Sequence, residues 1–462
     1  MLRVFFLVLW NMFSRKKGVV FVARNVPKCP LDLLLGAKQE KERQKKWFST
    51  REVVEKTYQI SVVTPMFGGG VRAGILDDVT PVRGTSVRGH LRFWWRALYG
   101  ASFDSLKDMR EREGMLWGTT EKASPVEIAL NVSRAGVSRP CADAGRGSFP
   151  RFQPAHKGYV LFPFQGNSRE NIPVGHGRHG LAFTLSLRSP SSFFKEVEAA
   201  LRAWVLFGGI GARTRRGCGS LYCKELSPSS LNALENIAAY FAEAGVVVGR
   251  RNGRDISSLP RHLHVGDRVA DPENVWMNVV GSLKNFRQGE NVGRNPGREN
   301  RPGRSRWPEP ESIRCFTRRR EAQHQRMADI PDNAFPRALF GLPIIFHFKD
   351  RNDPQDTELS CHRGRERKNR MASPLIIKPL ALAEDRAVSM VMVLDAPEPE
   401  NLGLFSQGND LLAGARNILI QDPALERYRN SPMRRYSPEG NALEAFVTFA
   451  NAQGVARRID LA

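Results

Sequence analysis

The chain has 462 residues in which 70 Lys and Arg face 47 Asp and Glu, a formal charge of +23, so a polyanionic partner is expected. Hydrophobic residues make up 41% of the sequence, ordinary for a globular protein, and this length accommodates about two to four domains. No run of about 18 uncharged apolar residues occurs, which argues against a membrane-spanning helix and leaves a soluble, cytoplasmic protein as the expectation.

Arginine dominates the basic excess, and a guanidinium can grip phosphate oxygens and stack on bases where an ammonium cannot. Nucleic acid is therefore favoured over a membrane surface, although high-GC codon usage also enriches Arg, Gly and Ala. The cysteines Cys29, Cys141, Cys218, Cys223, Cys315 and Cys361 are scattered without a C-x-x-C pair. They read as reduced cytosolic thiols, and neither a metal nor another cofactor is expected.

Residues 1–56 read as an N-terminal extension. Residues 2–13 are apolar, but Arg15-Lys16-Lys17 follows them, the wrong polarity for a secretory signal. A leader, an amphipathic tail or a start codon placed too far upstream would each explain it, the last being the favoured reading and a disordered segment the alternative, and the charge-dense stretch 38–56 reads as a linker or solvated helix. The fold is expected from Thr57, where Tyr58–Val63 alternates as a strand, ends at Thr64-Pro65 and leads into the loop Gly68-Gly69-Gly70.

Ser86 can cap a helix to Leu98, and a second helix is expected near Leu106–Leu116. Glu127–Ser133 and Phe183–Leu187 read as strands, Phe193–Phe207 as an amphipathic helix and Leu221–Cys223 as a closing strand. This order predicts an α+β, ferredoxin-like β-α-β-β-α-β unit over residues 57–228.

A second α+β domain over residues 229–462 is expected to contain helices at Leu231–Ala244, Val275–Phe286 and Leu411–Leu419. Buried strands are expected at Pro343–Phe348 and Ser389–Leu394. The Arg/Gly/Pro-rich insertion 287–320 reads as too polar for a core.

Val87, Leu91, Trp94 and Leu98 share one face of the first helix, its core face. Arg88, Arg92 and Arg96 make a second stripe bordered by Trp95. One helical turn rises about 5.4 Å, a spacing that can follow a phosphate chain, and the indole could stack on a base. The alternative is a solvated face paired to acids such as Glu111 and Glu113. In the loop Gly208–Gly219, the glycines let backbone approach a ligand while Arg213, Arg215 and Arg216 supply charge. It lacks the G-K-[ST] ending of a P-loop. Arg72, Arg83, His90, Arg304 and Arg306 complete the candidate RNA-binding set. Trp307 serves equally well as a stacking residue or a loop anchor.

Catalysis is the weaker reading. His90 could act as a general acid or base, and Asp77 and Asp78 could assist attack by a 2′-OH, but paired loop aspartates are commonly turn formers. His176 and His179 lie in a glycine-rich turn without a third metal ligand. A general RNA chaperone remains a further alternative.

Thr64-Pro65-Met66-Phe67-Gly68-Gly69-Gly70 and Thr80 through Arg96 (TPVRGTSVRGHLRFWWR) resemble the amino-terminal signature of subunit one of the type III-B CRISPR (Cmr) complex, in the RAMP superfamily. Gly208–Gly217 resembles that family's glycine-rich loop. Gly303–Glu311, Phe340–Ile344 and Ala372–Leu375 are similar to its carboxy-terminal half. The first fifty or so residues have no counterpart there, and Cys218 replaces an expected bulky residue.

The resemblance implies two tandem ferredoxin-like (RRM-like) RAMP domains. It also implies a non-catalytic antiviral role near the 3′ end of a CRISPR guide RNA, with complementary target RNA and other RAMP subunits as partners. The runner-up is a metal-independent or loop-aspartate endoribonuclease of the same superfamily.

Overall fold

The first strand begins before the expected Thr57. In a computed structural model of the chain, β1 runs over Val53–Val62 and is the second strand from one edge of a four-stranded antiparallel sheet. The structure describes residues 52–461 apart from 71–73, 144–149, 249–255, 299–302, 327–331, 364–365, 369, 407–409, 415–417, 419, 421–430 and 438–440. The expected extension 1–56 thus lies outside the described residues up to 51, and its last four residues belong to β1. From Val53 onward the chain forms one compact unit.

On one side β1 pairs with β6 (Ala182–Pro190), from Val53 opposite Pro190 to Ser61 opposite Ala182, and on the other with β7 (Leu221–Tyr222). Outside β6 lies β3 (Glu127–Arg134). Alternation places Tyr58, Ile60, Phe183, Leu185 and Leu187 on the buried face. Thr57, Gln59, Thr184 and Ser186 occupy the other, with a Thr57–Ser186 hydroxyl contact of 3.1 Å.

Two helices share that buried core. In α1 (Gly84–Tyr99) the expected face Val87, Leu91, Trp94 and Leu98 is buried, and α3 (Ser191–Phe207) contributes Val197, Leu201, Trp204 and Val205. The helix α2 (Leu106–Trp117) follows α1 and is capped by Ser105, whose hydroxyl accepts from the Asp108 N–H at 3.1 Å. A small sheet of β2 (Met66–Phe67), β5 (His176–His179) and β4 (Val137–Pro140) braces the end of β1. The expected turn at His176–His179 is therefore a strand.

A second four-stranded antiparallel sheet runs β12 (Leu375–Ala381), β13 (Ala387–Val393), β8 (His262–Val265) and β16 (Arg457–Asp460). All seven residues of β12 are buried. Ile376 and Leu380 join the core of the first half, whereas Leu375 and Ile377 join a core with Trp276 and Phe286 of α5 (Pro272–Gln288) and Phe446 of α7 (Ala442–Ala452). Burial on both faces explains why the strand does not alternate apolar with polar residues.

Between α5 and β12 the expectations need correction. The stretch 287–320 contributes to the core: Trp307 is buried with its indole N–H donating to the Arg287 carbonyl at 3.1 Å, and α6 (Glu309–Thr317) buries Ile313. Part of its charge is paired within the protein: Arg314 donates to both carboxylate oxygens of Asp353 at 2.9 and 2.8 Å.

The Pro343–Phe348 strand is shortened to β9 (Ile344–Phe346), with Ile345 exposed, and pairs in a fourth sheet with β10 (Thr357–Arg363). The sheet also contains β11 (Glu366–Lys368), β14 (Leu402–Ser406) and β15 (Leu411–Ala413). The described start of the expected Leu411–Leu419 helix is strand β15. The expected Leu231–Ala244 helix is a 3-10 turn, Asn232–Glu235, followed by α4 (Asn236–Glu243).

Candidate nucleic-acid interface

The glycine loop leaves the C-terminus of α3 and folds back on the end of β1, bringing the two expected RNA-binding segments together. Ile210 N–H donates to Gly219 O at 2.9 Å, Gly219 N–H to Pro65 O at 3.0 Å and Ala212 N–H to Phe67 O at 2.7 Å. The Thr64 hydroxyl donates to Gly217 O at 2.6 Å and accepts from Ser220 N–H at 2.8 Å. The glycines serve this internal packing. A Cβ on Gly211, at φ +86°, would lie 2.5 Å from Phe67 O, and one on Gly219, at φ +62°, would overlap Ile210 O.

Against the loop lies the first half of α1, and the two enclose a cleft of about 290 Å³ lined by Gly69, Thr80, Arg83, Ser86, His90 and Gly211, among others. A hollow of about 170 Å³ on the other side of His90 is lined by Phe93, Gly208, Thr214 and Arg215. The His90 ring stacks on Trp204 at 5.6 Å, and burial lowers its pKa, favouring the neutral imidazole.

Arg83 precedes α1 and is exposed. It pairs with Asp77 and donates to Gly69 O at 2.9 Å. Asp77 also accepts from the N–H groups of Val79 and Thr80 at 3.0 and 2.8 Å. The adjacent Arg83 and these turn contacts hold its carboxyl well below the ordinary range. Asp78 pairs with Arg178. Both aspartates therefore have structural partners.

The stripe on α1 is largely engaged within the protein. Arg88 donates to Ser124 Oγ at 2.8 Å and Val126 O at 2.9 Å. Arg92 and Arg96 both donate to Glu113 Oε1 at 2.8 Å. The expectation that Trp95 stacks on a base is overturned: it is fully buried, with its indole N–H donating to Glu196 at 3.0 Å.

The loop arginines divide. Arg215 donates to Ser373 O and sits 5.5 Å from the Phe93 ring. Arg216 donates to Leu375 O at 2.6 Å and Ser373 Oγ at 3.0 Å, while its own carbonyl accepts from Trp276 Nε1 at 2.7 Å. Burial lowers the Arg216 guanidinium to about 10. These two bind the loop to the approach to β12. Arg213, at φ +60°, is exposed and lies over the Phe162 ring.

In the later stretch, Arg304 pairs with Glu311 at 3.6 Å, and Arg306 donates to Asn295 Oδ1 at 2.8 Å. Arg72 lies outside the described residues. His179 pairs with Glu273 at 3.0 Å, while His176 contacts Ser138 at 2.9 Å, so their strongest polar contacts diverge.

Several positioning residues lacked a local sequence signal. The Thr64 hydroxyl belongs to the quoted motif, but its bond reaches 153 residues along the chain. Lys378 is buried in β12 and donates to Leu206 O at 2.9 Å and Gly208 O at 2.7 Å at the end of α3. A lysine within an apolar strand was the available clue.

Residues 59–222 match the family model described as RAMP superfamily. Over 196 residues the chain is 26% identical to the CRISPR system Cmr subunit Cmr1-1 of Pyrococcus furiosus, covering 39% of this chain and 56% of that relative. The matched region thus spans about half of that relative's length. A second protein from the same organism, Cmr subunit Cmr1-2, is 27% identical over 179 residues, covering 36% of this chain and 94% of that one. The apo crystal structure of Cmr1 from P. furiosus gives a TM-score of 0.40 at 18% identity, covering 76% of this chain and 89% of that chain. A chain in the cryo-electron microscopy structure of type III-B Cmr-beta bound to cognate target RNA also gives 0.40, at 12% identity, covering 76% and 96%.

Proposed function

From the premise that residues 59–222 match the RAMP superfamily and the chain resembles Cmr subunit one, we propose that it is a non-catalytic RNA-binding subunit of a type III-B CRISPR ribonucleoprotein. It holds the 3′ region of a guide RNA, and the target RNA paired with that guide, alongside other RAMP subunits in the cytoplasm. The observation carrying this reading is the cleft between α1 and the glycine loop, inside the family-matched segment and bordered by Arg83, with Arg213 beside its lining residue Ala212.

Two tandem ferredoxin-like domains, divided near residue 228, are part of the proposal. Their support is strand order: β3-β6-β1-β7 and β12-β13-β8-β16 both place the four strands in the order second, third, first, fourth. In each half the first and third strands are followed by a helix that contributes to the core. The non-catalytic assignment draws on the internal roles of Asp77 and Asp78 and on the stacking of His90 against Trp204.

The test is RNA binding by the purified chain across a salt series. Affinity should fall steeply with salt, and Arg83→Ala and Arg213→Ala should each reduce the single-strand salt slope by about 0.7. Salt-independent binding would overturn the reading, as would RNA cleavage abolished by His90→Ala.

A further inference from the structure

Outside the lining of the cleft stands an aromatic residue that its local sequence does not distinguish from core. Val160, Leu161 and Phe164 are buried, but Phe162 between them is 60% exposed. The short 3-10 turn Phe162–Phe164 sets this orientation, with Pro163 in its first turn. Phe164 anchors the turn by stacking on Phe67 with ring centroids 5.3 Å apart and planes inclined by 24°.

Phe67 is also the residue whose carbonyl accepts from Ala212 N–H at 2.7 Å. One β2 side chain therefore holds the Phe162 turn, while the same residue's backbone holds the glycine loop. The residue after Ala212 is Arg213, whose guanidinium lies 5.3 Å from the Phe162 ring centroid. A single exposed phenylalanine is common on protein surfaces. Here it is covered by a cation on a loop that also lines the candidate cleft, through Gly211 and Ala212.

We propose that Phe162 and Arg213 form a stacking station for one unpaired base of the bound RNA, whose phosphates run into the adjoining cleft. A guanidinium already held over an aromatic ring can offer a planar surface to a base and a charge to its phosphate. The guanidinium of Arg370, itself exposed, lies close enough to act on Arg213 and adds to the local positive charge. Among the described residues no carboxylate pairs with Arg213 in an ion pair. This charge balance favours an anionic nucleic acid over an apolar protein segment.

The inference rests on the RNA-binding reading above. Its test compares the full-length parent, Phe162→Ala and Phe162→Trp on a single-stranded RNA and on the same RNA with one abasic position moved along it. Phe162→Ala should weaken binding about tenfold with the salt slope unchanged, and one abasic position should remove that difference. Phe162→Trp should retain affinity and gain RNA-dependent quenching beyond the parent's. If the parent binds RNA steeply with salt but Phe162→Ala stays within about twofold, the station is overturned while the RNA-binding reading stands. Failure of the parent to bind RNA overturns both. Normal RNA affinity combined with lost association with partner subunits would instead make Phe162 a protein contact.

Discussion

The arginines of α1 and those of the glycine loop look alike in sequence and have different tasks. Arg92 and Arg96 converge on Glu113, a buried carboxylate from α2, whereas Arg215 and Arg216 reach carbonyl oxygens beside β12 and Arg213 alone of the loop three lies over an exposed ring. Position beside a glycine or on a polar helix face does not fix where a guanidinium points. The nearest unsatisfied acceptor does, and it can belong to a distant part of the chain.

Replacing Gly219 tests the loop most severely. Gly219→Ala should destabilise the protein by about 3 kcal/mol or more, because the new Cβ overlaps Ile210 O and the backbone is left-handed. Gly180→Ala is the matched control: its φ is +69°, but no atom lies within 4 Å of the added Cβ, so a loss of about 1 kcal/mol is expected. Equal losses in denaturant unfolding would show that conformation, not internal packing, dictates the loop glycine.

Arg216→Ala should cost about 2–3 kcal/mol by leaving the Leu375 carbonyl and Ser373 hydroxyl without their guanidinium donor. Arg213→Ala should change stability by less than about 0.5 kcal/mol while weakening RNA binding. Reversal of these two outcomes would break the division of the loop into an inward clamp and an outward contact.

Lys378 extends the clamp into a pH dependence. Burial lowers its ammonium from 10.5 to about 7 in the fold. Between those values the unfolded chain binds more protons, so this group makes stability rise with pH, by at most about 1.4 kcal/mol per unit. Lys378→Met should flatten that rise in unfolding measurements between pH 7 and 10, at the cost of leaving Leu206 O and Gly208 O without this donor.

These cases explain what could be read beforehand. The strands around Tyr58 and Phe183 and the core face of α1 were legible because alternation and helical spacing are local signals. Strand β12 was missed because it is buried on both faces and carries Lys378 and Pro379, the latter tolerated because β12 is an edge strand. The polar stretch 287–320 read as outside the core because Asp353, which pairs with Arg314, lies 39 residues away. Arg215 and Arg216 read as ligand contacts because their acceptors are 158 and 159 residues distant. Glu113 was visible as a possible partner only because α2 follows α1 closely.

The smallest effects fall on α1. Glu113→Gln keeps the side chain's shape but removes the charge holding Arg92 and Arg96, which are partly exposed, so a stability loss of about 1 kcal/mol is expected. Arg92→Ala and Arg96→Ala should change RNA affinity by no more than about threefold if their charges are already neutralised by Glu113. The double variant Glu113→Gln with Arg92→Ala separates the alternatives. If Glu113→Gln tightens RNA binding and adding Arg92→Ala cancels the gain, the released guanidinium can reach phosphate and the carboxylate sets the stripe's availability. If neither substitution moves affinity, the stripe joins two helices and the glycine loop carries the RNA contact, as its exposed Arg213 indicates.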